Sequence, residues 1–282
     1  MGTADVVPGV SGGTMALVLG IYEELLQSIR SFDVGFLRRL AALQIKAALQ
    51  KIPLPFLFSV FGGILCAIFS LAKVLSWLLV NHPVSVWSFF FGLILASALM
   101  VGRRIATWQG ATMAGLFLSA GAAYLLVGIV PITTPDSRLF LFVCGAIAIC
   151  AMVLPGISGS FILVLLGKYQ TILEAVHRLD LVTLIVFAAG AATGLILFVR
   201  ILNWLLHRYH ELTLACLTGL MIGSLRKIWP WKTATLQDGG LAMVNVLPTA
   251  LNTEFFTAAG LALIGILAVA ALQWMASRER QD

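Results

Sequence analysis

Charge is scarce in this chain of 282 residues: Asp, Glu, Lys and Arg together make up 11% of it, where a soluble domain carries roughly 25%. That shortage excludes a water-soluble enzyme or binding module with an ordinary polar surface. Histidine is also sparse. His82, His177, His207 and His210 fall at the ends of apolar runs without metal-ligand spacing, so no metal site and no cofactor is expected. Cys66, Cys144, Cys150 and Cys216 lie inside apolar segments without a His or Cys partner at metal spacing, and read as small core residues. No basic n-region with a small-residue cleavage site precedes an apolar core, so insertion by an uncleaved hydrophobic segment is expected. Strict alternation of polar and apolar positions is missing too, which excludes a membrane β-barrel.

What is present is apolar: 60% of the residues. Runs near residues 55–80, 86–102, 110–130, 138–153, 159–176, 181–206, 212–228 and 256–277 approach the roughly 20 residues that span a bilayer as helix. The fold class expected is therefore all-α, a polytopic helical membrane protein forming a single membrane domain over residues 1–282. Its 26 glycines fit helices that approach closely. The net charge of +6 is spread over loops and helix ends, which points to membrane orientation and not to nucleic acid. Residues 34–52, VGFLRRLAALQIKAALQKI, are too charged to span and amphipathic enough to lie in the interface. Residues 229–255 read as an extramembrane loop.

Two stretches share a pattern of helix breakers: 4-ADVVPGVSGGTMALVLGIYEELL-26 and 151-AMVLPGISGSFILVLLGKY-169. Pro8-Gly9 matches Pro155-Gly156, Ser11-Gly12 matches Ser158-Gly159, Gly20 matches Gly167 and Tyr22 matches Tyr169. Further on, Lys73 to Leu79 matches Arg200 to Leu206, Gly92 matches Gly219, and Ala114-Gly115-Leu116 matches Ala259-Gly260-Leu261. The chain thus reads as two homologous halves, about 1–130 and 138–277, each with one motif region and three spans. If each motif region dips in and returns, three spans place the second half upside down. With the N-terminus inside, the inner loops collect Arg30, Arg38, Arg39, Lys46, Lys51, Arg103, Arg104, Arg208, Arg278 and Arg280. The outer loops collect Arg138, Arg178, Arg226, Lys227 and Lys232, half as many, in keeping with the positive-inside tendency. Inverted repeats of this kind build many transporters. Residues 138–154 lead into Pro155 while only seven residues precede Pro8; either the first hairpin is half-missing or the true start lies upstream, and a shortened chain is expected.

Pro before Gly stops a helix, and the Ser-Gly-Gly or Ser-Gly-Ser that follows leaves backbone N–H groups without helical partners. Broken backbone at membrane depth is tolerated only where it is buried in protein or lines a cavity. Helices restarting near Thr14 and Ser160 would turn their positive ends toward the gap. With Ser11, Gly12, Gly13, Thr14, Ser158, Gly159 and Ser160, they make two candidate anion cradles. The competing reading is close helix packing by Gly and Ser with a proline kink. Lys73 and Arg200 hold matching places inside spans and are candidate substrate ligands or snorkelling ends. Arg103 and Arg226, with Arg104 and Lys227, close matching segments as end anchors or as guards of two mouths. Glu23, Glu24 and Glu174 follow the motif helices and read as carriers of coupling charge, as partners to cations, or as interfacial caps.

ADVVPGVSGGTMALVLGIYEELL, LPGISGSFILVLLGKY and GLMIGSLRKIWPWK closely resemble the DUF368 membrane-protein family, associated with polyprenyl-phosphate (undecaprenyl-phosphate) translocation in bacteria. The resemblance covers essentially the whole chain. It implies a flippase that returns a lipid carrier monophosphate across the cytoplasmic (inner) membrane, with Ser11, Gly12, Gly13, Thr14, Ser158, Gly159 and Ser160 as the positions carried over. It also implies a polyprenyl phosphate lipid and membrane lipids as partners, and a cell envelope biogenesis role. In the first half the third segment reads GLILASALMVGRR, without the Gly-Ser of the second-half GLMIGSLRK. A multi-pass protein with cytoplasmic N- and C-termini is expected, with H+ or Na+ as candidate coupling ion and a homo-oligomer as candidate assembly. Not an enzyme is the expectation, because no nucleophile or base cluster is present; a membrane lipid phosphatase would need a His beside Arg and Lys. A small-anion channel or transporter could use the same cradles, and a scaffold would leave the paired broken helices unexplained.

Overall fold

The computed structural model describes residues 1–2, 11–32, 34–50, 52–129, 134–237, 240–248 and 250–278. Pro8, Gly9 and Val10 of the first motif, with Asp238, Gly239 and Arg280, lie outside the described residues. Helices α1 (Gly12–Leu19) and α2 (Tyr22–Arg30) carry the first motif, followed by the short α3 (Val34–Ala41) and α4 (Ile45–Leu49). Long helices α5 (Leu54–Asn81), α6 (Pro83–Arg103) and α7 (Gly110–Val127) complete the first half. The second half holds α8 (Arg138–Val153), α9 (Gly159–Leu165), α10 (Tyr169–Arg178), α11 (Leu181–Arg208), α12 (His210–Ser224) and α13 (Thr253–Arg278). Between α12 and α13, β1 (Lys232–Gln237) pairs antiparallel with β2 (Gly240–Asn245). This short hairpin lies within the stretch read as an extramembrane loop at 229–255, and the membrane architecture is all-helical as expected.

Among the described residues α5, α6, α7, α11 and α13 contain windows long and apolar enough to cross a membrane. Helix α12 stops at Ser224, four residues short of the apolar run that ends at 228, and with 15 residues covers about 22 Å at 1.5 Å per residue. The run at 159–176, assigned to the second motif region, is broken in two. Helices α9 and α10 meet at 107°, with Gly167 at the break in the left-handed region at φ 64°. The matching Gly20 separates α1 from α2 at φ 72°. Most side chains strongly disfavour that conformation, which glycine adopts freely.

Helix α8 and the short α9 pack against each other, so the chain enters at Arg138, turns at Leu154–Ser158 and returns. Ser137 caps α8 by accepting from the N–H of Phe140 at 3.1 Å. The returning end is tied to the entering one: Thr134 donates to the carbonyl of Leu166 at 2.7 Å, and Lys168 donates to Asp136. Helix α1 ends elsewhere, beside Arg104 and the start of α12. Arg104 donates to the Val18 carbonyl at 3.5 Å, and Glu23 lies 3.8 Å from His210. The molecule therefore has two ends. The first carries Arg103, Glu23 and the α11–α12 corner; the second carries Arg138, Asp136, Lys168 and the end of α12.

Helix pairing crosses between the halves. Helix α12 packs along α7, and α13 packs along α6. The sequence-matched glycines mark these contacts: a Cβ on Gly92 would sit 2.0 Å from the Ala262 carbonyl, and one on Gly219 would sit 2.3 Å from that of Leu116. Small residues bring such helices together where lipid offers no hydrophobic drive. The main buried cluster includes Tyr22 and Leu26 of α2, Ile94 and Val101 of α6, Val199 and Leu202 of α11, and Leu217 and Met221 of α12. It surrounds the place where the motifs meet.

Candidate functional site

The two broken-helix motifs touch. A chain of hydrogen bonds runs from the second-motif turn through the first motif and back. The N–H of Gly156 donates to Thr14 Oγ1 at 3.0 Å, Thr14 Oγ1 and Ser11 Oγ are 3.2 Å apart, and Ser11 Oγ donates to the Leu154 carbonyl at 3.1 Å. Each hydroxyl has one proton. With the Ser11 proton on Leu154, the Thr14 proton must point to Ser11. Ser11 also caps α1, accepting from the N–H of Thr14 at 3.3 Å. Tyr22 Oη adds a bond to the Val153 carbonyl at 3.1 Å. Ser11 is 1% exposed and Thr14 is fully buried.

Close approach of backbone permits this junction. A Cβ on Gly13 would lie 2.4 Å from the Val153 carbonyl, and one on Gly156, whose φ is +87°, would lie 2.7 Å from Ser224 Oγ. In the second motif Ser158 caps α9 by accepting from the N–H of Phe161 at 3.2 Å, and Ser158 and Ser160 hydroxyls are 3.1 Å apart. Gly12 opens α1 and Gly159 opens α9. Ser158 is buried while Ser160 is exposed. The first motif is thus sealed by its own bonds, and the second keeps one hydroxyl pair at the surface of the junction.

The sequence-matched cations go to different surroundings. Arg200 lines a cavity of about 430 Å³ with Arg30, Asn203, Trp204 and His207, near the first end. Lys73 is exposed on α5. Arg103 is exposed at the last turn of α6, whereas Arg226 donates to the Tyr124 carbonyl at 2.9 Å and lies 4.3 Å over the Tyr124 ring. Glu23 joins His210 beside a second cavity of about 240 Å³ that Arg104 and Tyr22 also line. His210 is also 3.5 Å from Glu211, which accepts from the N–H of Ala106 at 2.7 Å. Glu24 is exposed on α2, and Glu174 pairs with Arg178 at 3.7 Å on the surface of α10.

At the second end the structure adds residues that the sequence reading left in a loop. Lys227 lies 4.5 Å over the Phe161 ring, in the first turn of α9, and Lys232 lies 4.5 Å over the Trp87 ring and donates to the Lys227 carbonyl. Burial pushes the ammonium of Lys227 below its ordinary value; burial and the neighbouring Lys227 bring that of Lys232 down to about 8. Lys168 is buried at 4% exposure against Asp136. Among the described residues no group of three or more His, Cys, Asp or Glu could hold a metal ion, and Cys66, Cys144, Cys150 and Cys216 are free thiols.

Comparison with known proteins follows the same motifs. Residues 1–239 match the family described as undecaprenyl phosphate translocase-like. The chain is 48% identical to the polyprenyl-phosphate transporter of Vibrio cholerae serotype O1, over 82% of this chain and 75% of that protein. It is 32% identical to the polyprenyl-phosphate transporter of Staphylococcus aureus, over 82% of this chain and 83% of that protein. No solved structure gives a significant match. With its motif pair, its helical membrane architecture and a match that spans most of its length, the chain belongs to the undecaprenyl phosphate translocase-like family.

Proposed function

We propose that this protein translocates a polyprenyl monophosphate, undecaprenyl phosphate being the expected lipid, across the bacterial cytoplasmic membrane. The observation that carries the reading is the junction itself: two broken helices joined at Thr14 and Gly156, one leaving toward each end of the molecule. The names of the relatives supply the substrate class. Reciprocal packing of α12 on α7 and α13 on α6 supports two inverted halves that rock about the junction and expose it to either end in turn. The phosphate head would exchange for the bonds of Ser11, Thr14, Ser158 and Ser160 as the hairpins part, while the tail stays in the bilayer. Arg103 and Arg200 would attract the head at one leaflet, and Lys73 and Arg226 at the other. Glu23, Glu24 and Glu174 are the carboxylates available for coupling to H+ or Na+. The N- and C-termini would then be cytoplasmic, and assembly of further copies is compatible with the exposed apolar helices.

A fluorescent polyprenyl phosphate in liposomes tests this. Reconstituted protein should speed its transfer between leaflets; correctly inserted protein that transfers no faster than empty vesicles overturns the reading. Inhibition by free phosphate or sulfate equal to that by unlabelled lipid phosphate would favour the small-anion transporter. Release of inorganic phosphate from polyprenyl diphosphate would favour the lipid phosphatase.

A further inference from the structure

We infer that the cavity between α2 and α11 is a landing site for the phosphate monoester of an amphiphile, held by Arg30 and Arg200 with Asn203. This deepens the proposed translocation and rests on it. Arg30 closes α2, and α2 packs on α11, so a residue outside the sequence motif is brought beside Arg200. Among the described residues no carboxylate lines the cavity. Among the described residues neither guanidinium has a hydrogen-bond or ion-pair partner. Two like charges that converge without a counter-ion repel each other, and an anion between them removes that cost. Their planar forks suit phosphate oxygens, which they can grip bidentately.

Asn203 points to the same ligand independently. It is buried at 4% exposure, lines the cavity, and its side-chain amide has no protein partner among the described residues. Its amide atoms are not sealed inside the protein, so they are open to donate to and accept from a molecule held in the cavity. His207 completes the wall. Its Nδ1 lies 2.7 Å from the Asn203 carbonyl, and a carbonyl only accepts, so Nδ1 holds a proton and Nε2 remains for the cavity side.

The amphiphile part comes from what adjoins the cavity. Trp204 lines it and is also one of three exposed apolar residues, Leu197, Ile201 and Trp204, spaced along one face of α11. Arg200 stands eight residues before the end of α11 at Arg208, about 12 Å into the helix at 1.5 Å per residue. A head at that depth leaves its tail beside the apolar stripe. Inorganic phosphate shares the head chemistry and lacks the tail.

The test is equilibrium binding to the full chain in nanodiscs, by calorimetry, of a short isoprenyl phosphate, the corresponding isoprenyl alcohol and inorganic phosphate. Arg30→Gln and Arg200→Gln should each weaken isoprenyl phosphate binding by roughly tenfold or more, and Asn203→Leu should weaken it less. Arg178→Gln, at the other end, should bind as the unmodified protein does, and melting curves confirm that each variant is folded. Arg200→Lys should recover part of the loss, because the charge returns without the fork. If the unmodified protein binds isoprenyl phosphate and the Arg30 and Arg200 variants bind it equally well, the cavity assignment is wrong. If inorganic phosphate binds as tightly as isoprenyl phosphate, the amphiphile assignment is wrong. If the unmodified protein binds no isoprenyl phosphate at all, the translocation reading itself fails.

Discussion

Replacing Thr14 by Val keeps the shape of the junction but leaves the N–H of Gly156 facing a methyl group, because Thr14 Oγ1 accepts that N–H at 3.0 Å in a buried setting. An unsatisfied buried donor costs about 1–3 kcal/mol. Thr14→Val should therefore lower the unfolding free energy by that amount in detergent, and Thr14→Ser by less than 1 kcal/mol; equal melting curves for the two would show that the hydroxyl is not what joins the motifs. Lys232 offers a second reading at this scale. Its ammonium is held down to about 8 against an ordinary value of 10.5. Below pH 8 the group is protonated in both the folded and unfolded protein, and the cost of burying the charge is present in full. Between about 8 and 10.5 the folded protein loses the proton first, the unfolded chain binds more protons, and stability rises with pH. Thermal melts should show that rise, and Lys232→Met should flatten it. A rise of the same size in the Met variant would assign it to another group. The serines and the Pro-Gly steps were legible in sequence because breakers in an apolar run have few explanations. Arg30, Asn203 and His207 were not, because only the packing of α2 on α11 brings Arg30 to the other two.

At the scale of elements, the break between α9 and α10 is pinned by Lys168 and Asp136. Lys168 is nearly buried while Asp136 is largely exposed, so the pair has water on one side only. Removing the carboxylate leaves a buried ammonium with the Thr134 carbonyl at 3.3 Å as its remaining acceptor, whereas removing the lysine removes the charge that needs compensation. Asp136→Ala should thus destabilise the protein more than Lys168→Met, by about 1 kcal/mol. The first half already holds an apolar residue, Ile21, at the place that matches Lys168. The reverse order of the two variants would show that the ion pair itself, and not the buried charge, governs this corner. Sequence pattern placed the long helices well, because uniform apolarity over twenty residues has one common outcome in a membrane. It read 159–176 as one apolar run of a motif region that dips in and returns, without placing the bend at Gly167, since an isolated Gly more often marks close packing than a bend. The β-hairpin was signalled by Asp238-Gly239 between Thr233, Thr235 and the following apolar residues, a turn pattern that the emphasis on membrane helices passed over.

Across the whole molecule, both ends are closed by contacts that must part if the junction is to open. At the first end Glu23 on α2 reaches His210 at the start of α12; at the second, Lys232 of β1 lies over the Trp87 ring of α6. Matched landmarks such as Gly92 and Gly219 were legible in sequence, and both fall at close helix contacts. That each half lends its last helix to the other was not legible, because sequence order alone says nothing of partners. The central claim is that one junction serves both leaflets in turn. The most direct measurement is the rate of leaflet transfer of a labelled polyprenyl phosphate by protein whose native cysteines are replaced and which carries either Glu23→Cys with His210→Cys or Trp87→Cys with Lys232→Cys. Each pair is assayed before and after a short cleavable thiol cross-linker. The account predicts that cross-linking at either end alone stops transfer and that cleavage restores it. Undiminished transfer with either end fully cross-linked would contradict it.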